Sequence, residues 1–185
     1  MSIITPEIEY VDRSIESIRY LEHGWPSDLC RWHSHREFEL HLIVATRGKA
    51  FVGDYIGEFR PGSLFLTGPY LPHNWVTDEI TARQVSTRDM LVQFDQESVN
   101  SLSAAFPEFD DMRQMFELAC SGIEFHGFDA KLVQWRLAEI RDSSGPERIL
   151  AFLQLLVEIN QHAEMRQLSV VAVTQPEDSN KHTRI

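Results

Sequence analysis

Polar and apolar residues alternate with a period of two along Trp32-His33-Ser34-His35-Arg36-Glu37-Phe38-Glu39-Leu40-His41-Leu42-Ile43-Val44. Successive side chains of a β-strand point to opposite faces, so this pattern predicts a half-buried strand. His33, His35, Glu37, Glu39 and His41 fall on one face. Trp32, Phe38, Leu40, Leu42 and Val44 fall on the other. Further short strands are predicted around it, at Ala50 to Asp54, Tyr55 to Phe59, Ala82 to Thr87 and Met90 to Phe94. Ile15 to Glu22 reads as an early strand, residues 1–14 as an arm, and His23 to Asp28 as a loop. Arg47-Gly48-Lys49 reads as a turn. Pro61-Gly62 and Gly68-Pro69 are turn signals that bracket a short apolar strand, and His73 opens the next one. Short strands separated by turns predict an all-β barrel or double sheet.

The period changes after Asp95. Ser98 to Ala105 predicts a short helix. Pro107 suits a first helical turn, Phe109, Met112, Phe116 and Ala119 recur at helical spacing, and Gly122 stops the run. Ile123 to Gly127 reads as a brief extended piece. Asp129 is placed to cap a helix through Ile140. Ser144 and Glu147 have capping-box spacing before a helix from Pro146 to about His162. That helix is apolar on most sides, which predicts burial against the barrel, a second subunit, or both. The pattern therefore divides the chain into a barrel with its arm (1–97), a helical region suited to homodimerisation (98–170) and a polar linker (171–185).

Composition narrows the partners. The chain has 185 residues, 43% of them hydrophobic, enough for one domain with a real core. A formal net charge of −11 gives no overall attraction to nucleic-acid phosphates. Cys30 and Cys120 stand far apart and form no zinc-type pair, so each reads as a small core hydrophobe. No signal-peptide pattern and no membrane-length apolar run are present, so a cytoplasmic protein without a membrane partner is expected.

The chemistry sits on the polar face of the central strand. Three imidazoles and two carboxylates are the donor types that hold Zn, Ni, Fe or Mn. Together with the turn at Gly68-Pro69-Tyr70-Leu71-Pro72 and His73, the stretch resembles the cupin family. Its first motif is His-x-His followed by Glu, and its second is a Gly/Pro-rich turn leading to a further His. The resemblance implies a mainly β cupin-type jelly-roll barrel and maps a metal set onto His33, His35, Glu39 and His73. The second motif departs from the family pattern in that Asn74 follows His73 directly. Glu37 and His41 share the ligand face; both are candidates to touch a ligand, with Glu37 also placed to sit at the barrel rim in water. Phe51 and Trp75 are candidates to line a pocket or to pack as core.

Phe51-Val52-Gly53-Asp54, Phe59-Arg60-Pro61-Gly62 and Asn74-Trp75, in order with the two motifs, further resemble the N-terminal sensor domain of AraC-type transcriptional regulators over roughly residues 15 to 95. That resemblance implies a small-molecule effector in the barrel and a homodimer. It also implies DNA contact only through a helix-turn-helix half that these residues do not contain, so the chain is expected to be a regulator's sensor part and not an enzyme. Two alternatives stay open: a metal-dependent cupin oxygenase or isomerase, and a bare dimerisation module in which the His/Glu set is structural.

Overall fold

The computed structural model describes residues 6–9, 16–27, 31–80 and 83–170. The strands are β1 (Glu7–Glu9), β2 (Ile18–Trp25), β3 (His33–His35), β4 (Phe38–Ile43), β5 (Gly48–Val52), β6 (Tyr55–Phe59), β7 (Leu64–Thr67), β8 (His73–Thr77), β9 (Val85–Phe94), β10 (Ile123–His126) and β11 (Glu164–Gln167). The helices are α1 (Gln96–Ala105), α2 (Arg113–Ala119), α3 (Ala130–Asp142) and α4 (Gly145–His162), with a 3-10 segment at Pro107–Met112. One sheet runs β1-β3-β8-β5-β6 and the other β11-β10-β7-β4-β9-β2. This is the expected mainly β, cupin-type double sheet followed by helices.

The stretch from Trp32 to Val44 is two strands and not one. It bends at Arg36-Glu37 and changes sheets. β3 pairs with β1 and β8, while β4 pairs with β7 and β9. A single polypeptide thus stitches the two sheets together at the corner where its polar face turns inward. The inner and outer faces of β4 then diverge. Phe38, Leu40 and Leu42 pack outward in one apolar cluster with Phe94, Phe116, Phe152, Leu155 and Ile159, which joins the sheet to the helices. Ile43, Ala50, Val52, Phe59, Phe65, Leu71 and Trp75 form a second, smaller cluster between the sheets.

Several local expectations change. β2 continues through His23 to Trp25, which places His23 on a strand and not in a loop. Gly48 opens β5, so the predicted turn is shorter. The two strands predicted on either side of Arg88 are one strand, β9. The region 98–170 is not purely helical, since β10 and β11 extend the six-stranded sheet beyond β7. Asp129 caps α3, its carboxylate accepting from Lys131 N and Leu132 N, whereas Ser144 stands at the start of α4 without a side-chain capping bond. α4 buries Ala151, Phe152, Leu155, Leu156 and Ile159 but leaves Ile149 44% and Leu150 67% exposed, so its apolar surface is not wholly covered within the chain. The linker at 171–185 and most of the arm lie outside the described residues.

Two turns need glycine. Gly53 (φ +56°) begins the two-residue connection between β5 and β6, where a positive φ matches the strand twist. Gly122 (φ +73°) ends α2, donating to Ala119 O at 2.9 Å and accepting from Leu168 N at 2.9 Å. No helix among the described residues is long and apolar enough to cross a membrane.

Candidate metal centre

His33 and His35 stand on β3, His73 on β8 and Glu39 on β4. The register pairs His33 directly with His73. Imidazole centroids lie 4.5 Å apart for His33 and His73, 5.1 Å for His35 and His73, and 5.7 Å for His33 and His35. One donor atom from each of the four residues lies within 4.8 Å of the others. His35, Glu39 and His73 are buried and His33 is half-buried. Such a set of three nitrogens and one oxygen can hold a divalent transition metal and leave one or two positions of a six-coordinate ion open.

Backbone carbonyls fix the imidazoles. His33 Nδ1 donates to Arg31 O at 2.8 Å, His35 Nδ1 to Glu37 O at 3.1 Å, and His73 Nδ1 to Leu71 O at 2.8 Å. A carbonyl only accepts, so each Nδ1 carries the proton and each Nε2 is left as the donor atom for a metal. The Gly/Pro-rich turn of the sequence motif acquires a physical role here. Tyr70 adopts φ +60°, a left-handed conformation that costs a residue with a Cβ on the order of 1 kcal/mol. In that conformation Tyr70 N donates to His35 O at 2.7 Å, and the next residue supplies the carbonyl that orients His73. One loop therefore sets two of the four residues relative to each other.

Glu39 is the hub. Its Oε1 accepts from His41 Nδ1 at 2.8 Å. Its Oε2 accepts from Gln93 Nε2 at 3.0 Å and faces His35 Nε2 at 3.1 Å. Burial alone would raise its carboxyl, but the imidazoles of His35, His41 and His73 around it hold it well below the ordinary carboxylate range. Burial, reinforced by neighbouring His73, pushes His33 down to about 4, so it stays neutral and able to ligate at ordinary pH. Two features fit a cation at the centre of the set. His35 faces a carbonyl with one nitrogen and a carboxylate with the other, and a neutral imidazole has only one N–H to give. Among the described residues His73 Nε2 is buried without a hydrogen-bond partner, 3.6 Å from Glu39 Oε1. A cation between these nitrogens and the carboxylate satisfies both.

A cavity of about 50 Å³ adjoins the set, lined among others by His33, Glu39, His41, Trp75, Arg88 and Gln93. That is room for a few waters or the end of a small molecule. His41 and Trp75 line it, with ring centroids 4.9 Å apart, and Trp75 stacks on Phe65. Glu37 does not sit at a wet rim. It is 3% exposed, its Oε2 3.7 Å from His35 Nδ1, and it is not part of the cavity wall. Phe51 does not line the cavity either. Its strand neighbours Ala50 and Val52 face inward at 0% exposure, which turns Phe51 to the outer face of its sheet.

Four polar residues behind His41 escaped the sequence reading: His23, Arg88, Asp89 and Gln93. His23 Nδ1 meets Asp89 Oδ1 at 2.8 Å, and Arg88 Nε donates to Asp89 Oδ2 at 2.6 Å. His41 Nε2 lies 3.4 Å from Asp89 Oδ2. Burial would raise Asp89, yet His41, His23 and Arg88 hold it well below the usual carboxylate range. Burial would lower His41, but Asp89 and Glu39 on either side raise it. The signal was present in β9, where Asp89, Leu91 and Gln93 alternate with Met90, Val92 and Phe94. Polar residues at every second inward position of an apolar strand mark a charged interior.

Comparison with family models and with curated proteins gives no match. Among solved structures the chain is similar to HEPD of Streptomyces albus, solved with its substrate 2-hydroxyethylphosphonate and Fe(II) bound, at a TM-score of 0.34 and 12% identity. The likeness covers 85% of this chain and 45% of that one, so this chain spans less than half of its length. Nothing in these comparisons supports the expectation that the chain is not an enzyme; the similar structure is one solved with Fe(II) and a substrate bound.

Proposed function

We propose that the chain is a metal-dependent cupin enzyme of the oxygenase or isomerase kind. His33, His35, Glu39 and His73 would hold a divalent ion, and a small substrate would reach it from the adjoining cavity. The observation that carries this reading is the locking of three Nδ1 atoms onto backbone carbonyls around one buried carboxylate. A bound ion would supply Lewis-acid polarisation of a substrate oxygen and, if iron, redox chemistry. The protein's own part is positional. Gln93 and His41 hold the Glu39 carboxylate in one orientation, and the Tyr70 turn holds His35 and His73 in register. Trp75, backed by Phe65, walls the cavity with apolar surface, which would limit the water that reaches the open side of the ion.

The test is turnover by purified protein loaded in turn with Fe(II), Mn(II), Ni(II) and Zn(II). Small oxygenated acids would be supplied, and oxygen uptake and product formation followed. Turnover that disappears in folded His35→Ala supports the reading. Tight metal and ligand binding with no turnover for any ion would contradict it and favour the sensor role that the motif resemblance implies.

A further inference from the structure

Away from the metal set, the helical region leaves an apolar groove open between α1 and α4. It encloses about 360 Å³. Phe94, Val99, Phe116, Phe152 and Leu156 line it and are buried. Its lip is apolar and exposed. Phe106 is 56% and Ile149 44% exposed, and Leu150, next to Ile149 on α4, is 67% exposed. Contiguous exposed apolar surface of this kind marks a contact site.

The surroundings of the groove are acidic. Arg113 is the one Lys or Arg between Asp95 and Asp129, and its guanidinium is taken by Asp110 at 2.7 Å. Glu97 on α1, Glu108 and Asp111 on the 3-10 segment and Glu117 on α2 are all exposed. Among the described residues none of these carboxylates pairs with a cation. On α3 and α4 the charges are matched instead: Arg136 pairs with Glu139 and Glu158, and Arg148 with Glu16. Glu97 precedes the groove-lining Ser98, and Glu108 follows the lip residue Phe106, so unmatched negative charge borders the apolar cleft.

We propose that this groove docks a basic amphipathic helix of another protein, its apolar stripe on Phe106, Ile149 and Leu153 and its Lys or Arg side chains toward Glu97 and Glu108. The inference is independent of the metal centre. A helix with apolar residues at i, i+3, i+4 and i+7 fills such a cleft while its polar face stays in water. Charge then selects among the possible occupants. Basic flanks meet unmatched carboxylates, which steers and orients docking. A second copy placed by two-fold symmetry would set the same groove and the same carboxylates against themselves, where like charges repel. An anionic lipid surface would meet the same repulsion.

The experiment titrates the full chain into labelled synthetic helices of about 18 residues, one with Leu on one face and Lys on the other, and one with Glu in place of Lys. Fluorescence anisotropy reads the binding at low and at moderate salt. Saturable binding of the Leu/Lys helix that weakens with salt is expected, with the Leu/Glu helix at least about tenfold weaker. The double variant Phe106→Ser, Ile149→Ser changes exposed positions, so it is expected to fold and to bind the Leu/Lys helix about tenfold more weakly. Glu97→Gln, Glu108→Gln is expected to weaken the same helix at low salt and to reduce its salt dependence. No binding, or equal binding of the two helices, would overturn the proposal. So would wild-type affinity in either double variant, since the helix would then be held elsewhere. Sedimentation of the chain alone and with anionic phospholipid vesicles covers the other occupants. A dimer, or vesicle binding, that disappears in Phe106→Ser, Ile149→Ser would give the groove to a second copy or to a membrane and overturn the assignment.

Discussion

The two faces of β4 are built from the same six residues and do opposite things. Outward, Phe38, Leu40 and Leu42 are at most 1% exposed and join the sheet to α4 and α2 through Phe94, Phe116 and Phe152. Inward, Glu39 and His41 are 3% exposed and are surrounded by charges. Burial is nearly equal on the two faces, but its energetic meaning is reversed. The outer face gains roughly 1.5–3 kcal/mol for each large apolar side chain it removes from water. The inner face has desolvated ionisable groups, which cost free energy unless hydrogen bonds and opposite charges offset it. The outer face ties the sheet to the helices, while the inner face carries desolvated ionisable groups that are held by one another.

The sharpest way to break the comparison is to remove side chains from each face in turn. Phe38→Ala, which deletes a ring stacked on Phe94 with centroids 5.4 Å apart, is expected to lower stability by about 3–5 kcal/mol in urea unfolding. The folded fraction should keep its metal affinity. Gln93→Ala, on the inner side, should weaken metal binding by about 10–100-fold, because Gln93 orients the Glu39 carboxylate. If Phe38→Ala costs less than about 1 kcal/mol, or Gln93→Ala leaves metal affinity unchanged, the division of labour between the faces is wrong.

Acidification separates the faces by charge. His33 has its ordinary value of 6.5 lowered to about 4 in the folded protein, first by burial and then by His73. Between those values the unfolded chain binds a proton here that the folded protein does not. The contribution is therefore intact above about pH 6.5 and is lost as pH falls toward 4. Unfolding midpoints in metal-free buffer should decline across that window, and His33→Gln should flatten part of the decline. A slope identical in the variant would remove His33 from the account. The smallest effects belong to the helix starts. Asp129→Ala should cost about 1 kcal/mol, since its carboxylate caps α3, while Ser144→Ala should stay within about 0.5 kcal/mol, since Ser144 makes no side-chain capping bond. Neither change should alter metal binding.

Much of this was legible in the chain. The alternation from His33 to His41 and the turn before His73 pointed to the double sheet and to the four residues that the structure gathers. Residues with period-two spacing keep their common face even though the strand bends at Arg36-Glu37, because each half enters a sheet with its polar side inward. The bend itself left no mark in the pattern, and Glu37 at the corner was drawn inward where the alternation allowed a wet rim. Phe51 was misplaced for a related reason. An aromatic on a short strand says nothing of which face is inside until Ala50 and Val52 are seen to fill the interior. His23, Asp89 and Gln93 were missed because their significance depends on the pairing of β2 and β4 with β9, a long-range register that local pattern does not carry. Ile123 to Gly127 was legible as a brief extended piece and forms β10, whereas β11 was hidden after a helix; their place in the sheet follows from the pairing of β10 with β7 and of β11 with β10.

In the reading proposed above, the inner face of the barrel binds a metal through His33, His35, Glu39 and His73. The most direct measurement is elemental analysis of protein purified under metal-replete conditions, beside a folded His33→Ala, His73→Ala double variant. Close to one equivalent of a divalent transition metal is expected in the wild type and none above background in the variant. A folded wild-type protein without metal, or metal retained at the same level in the variant, would contradict it.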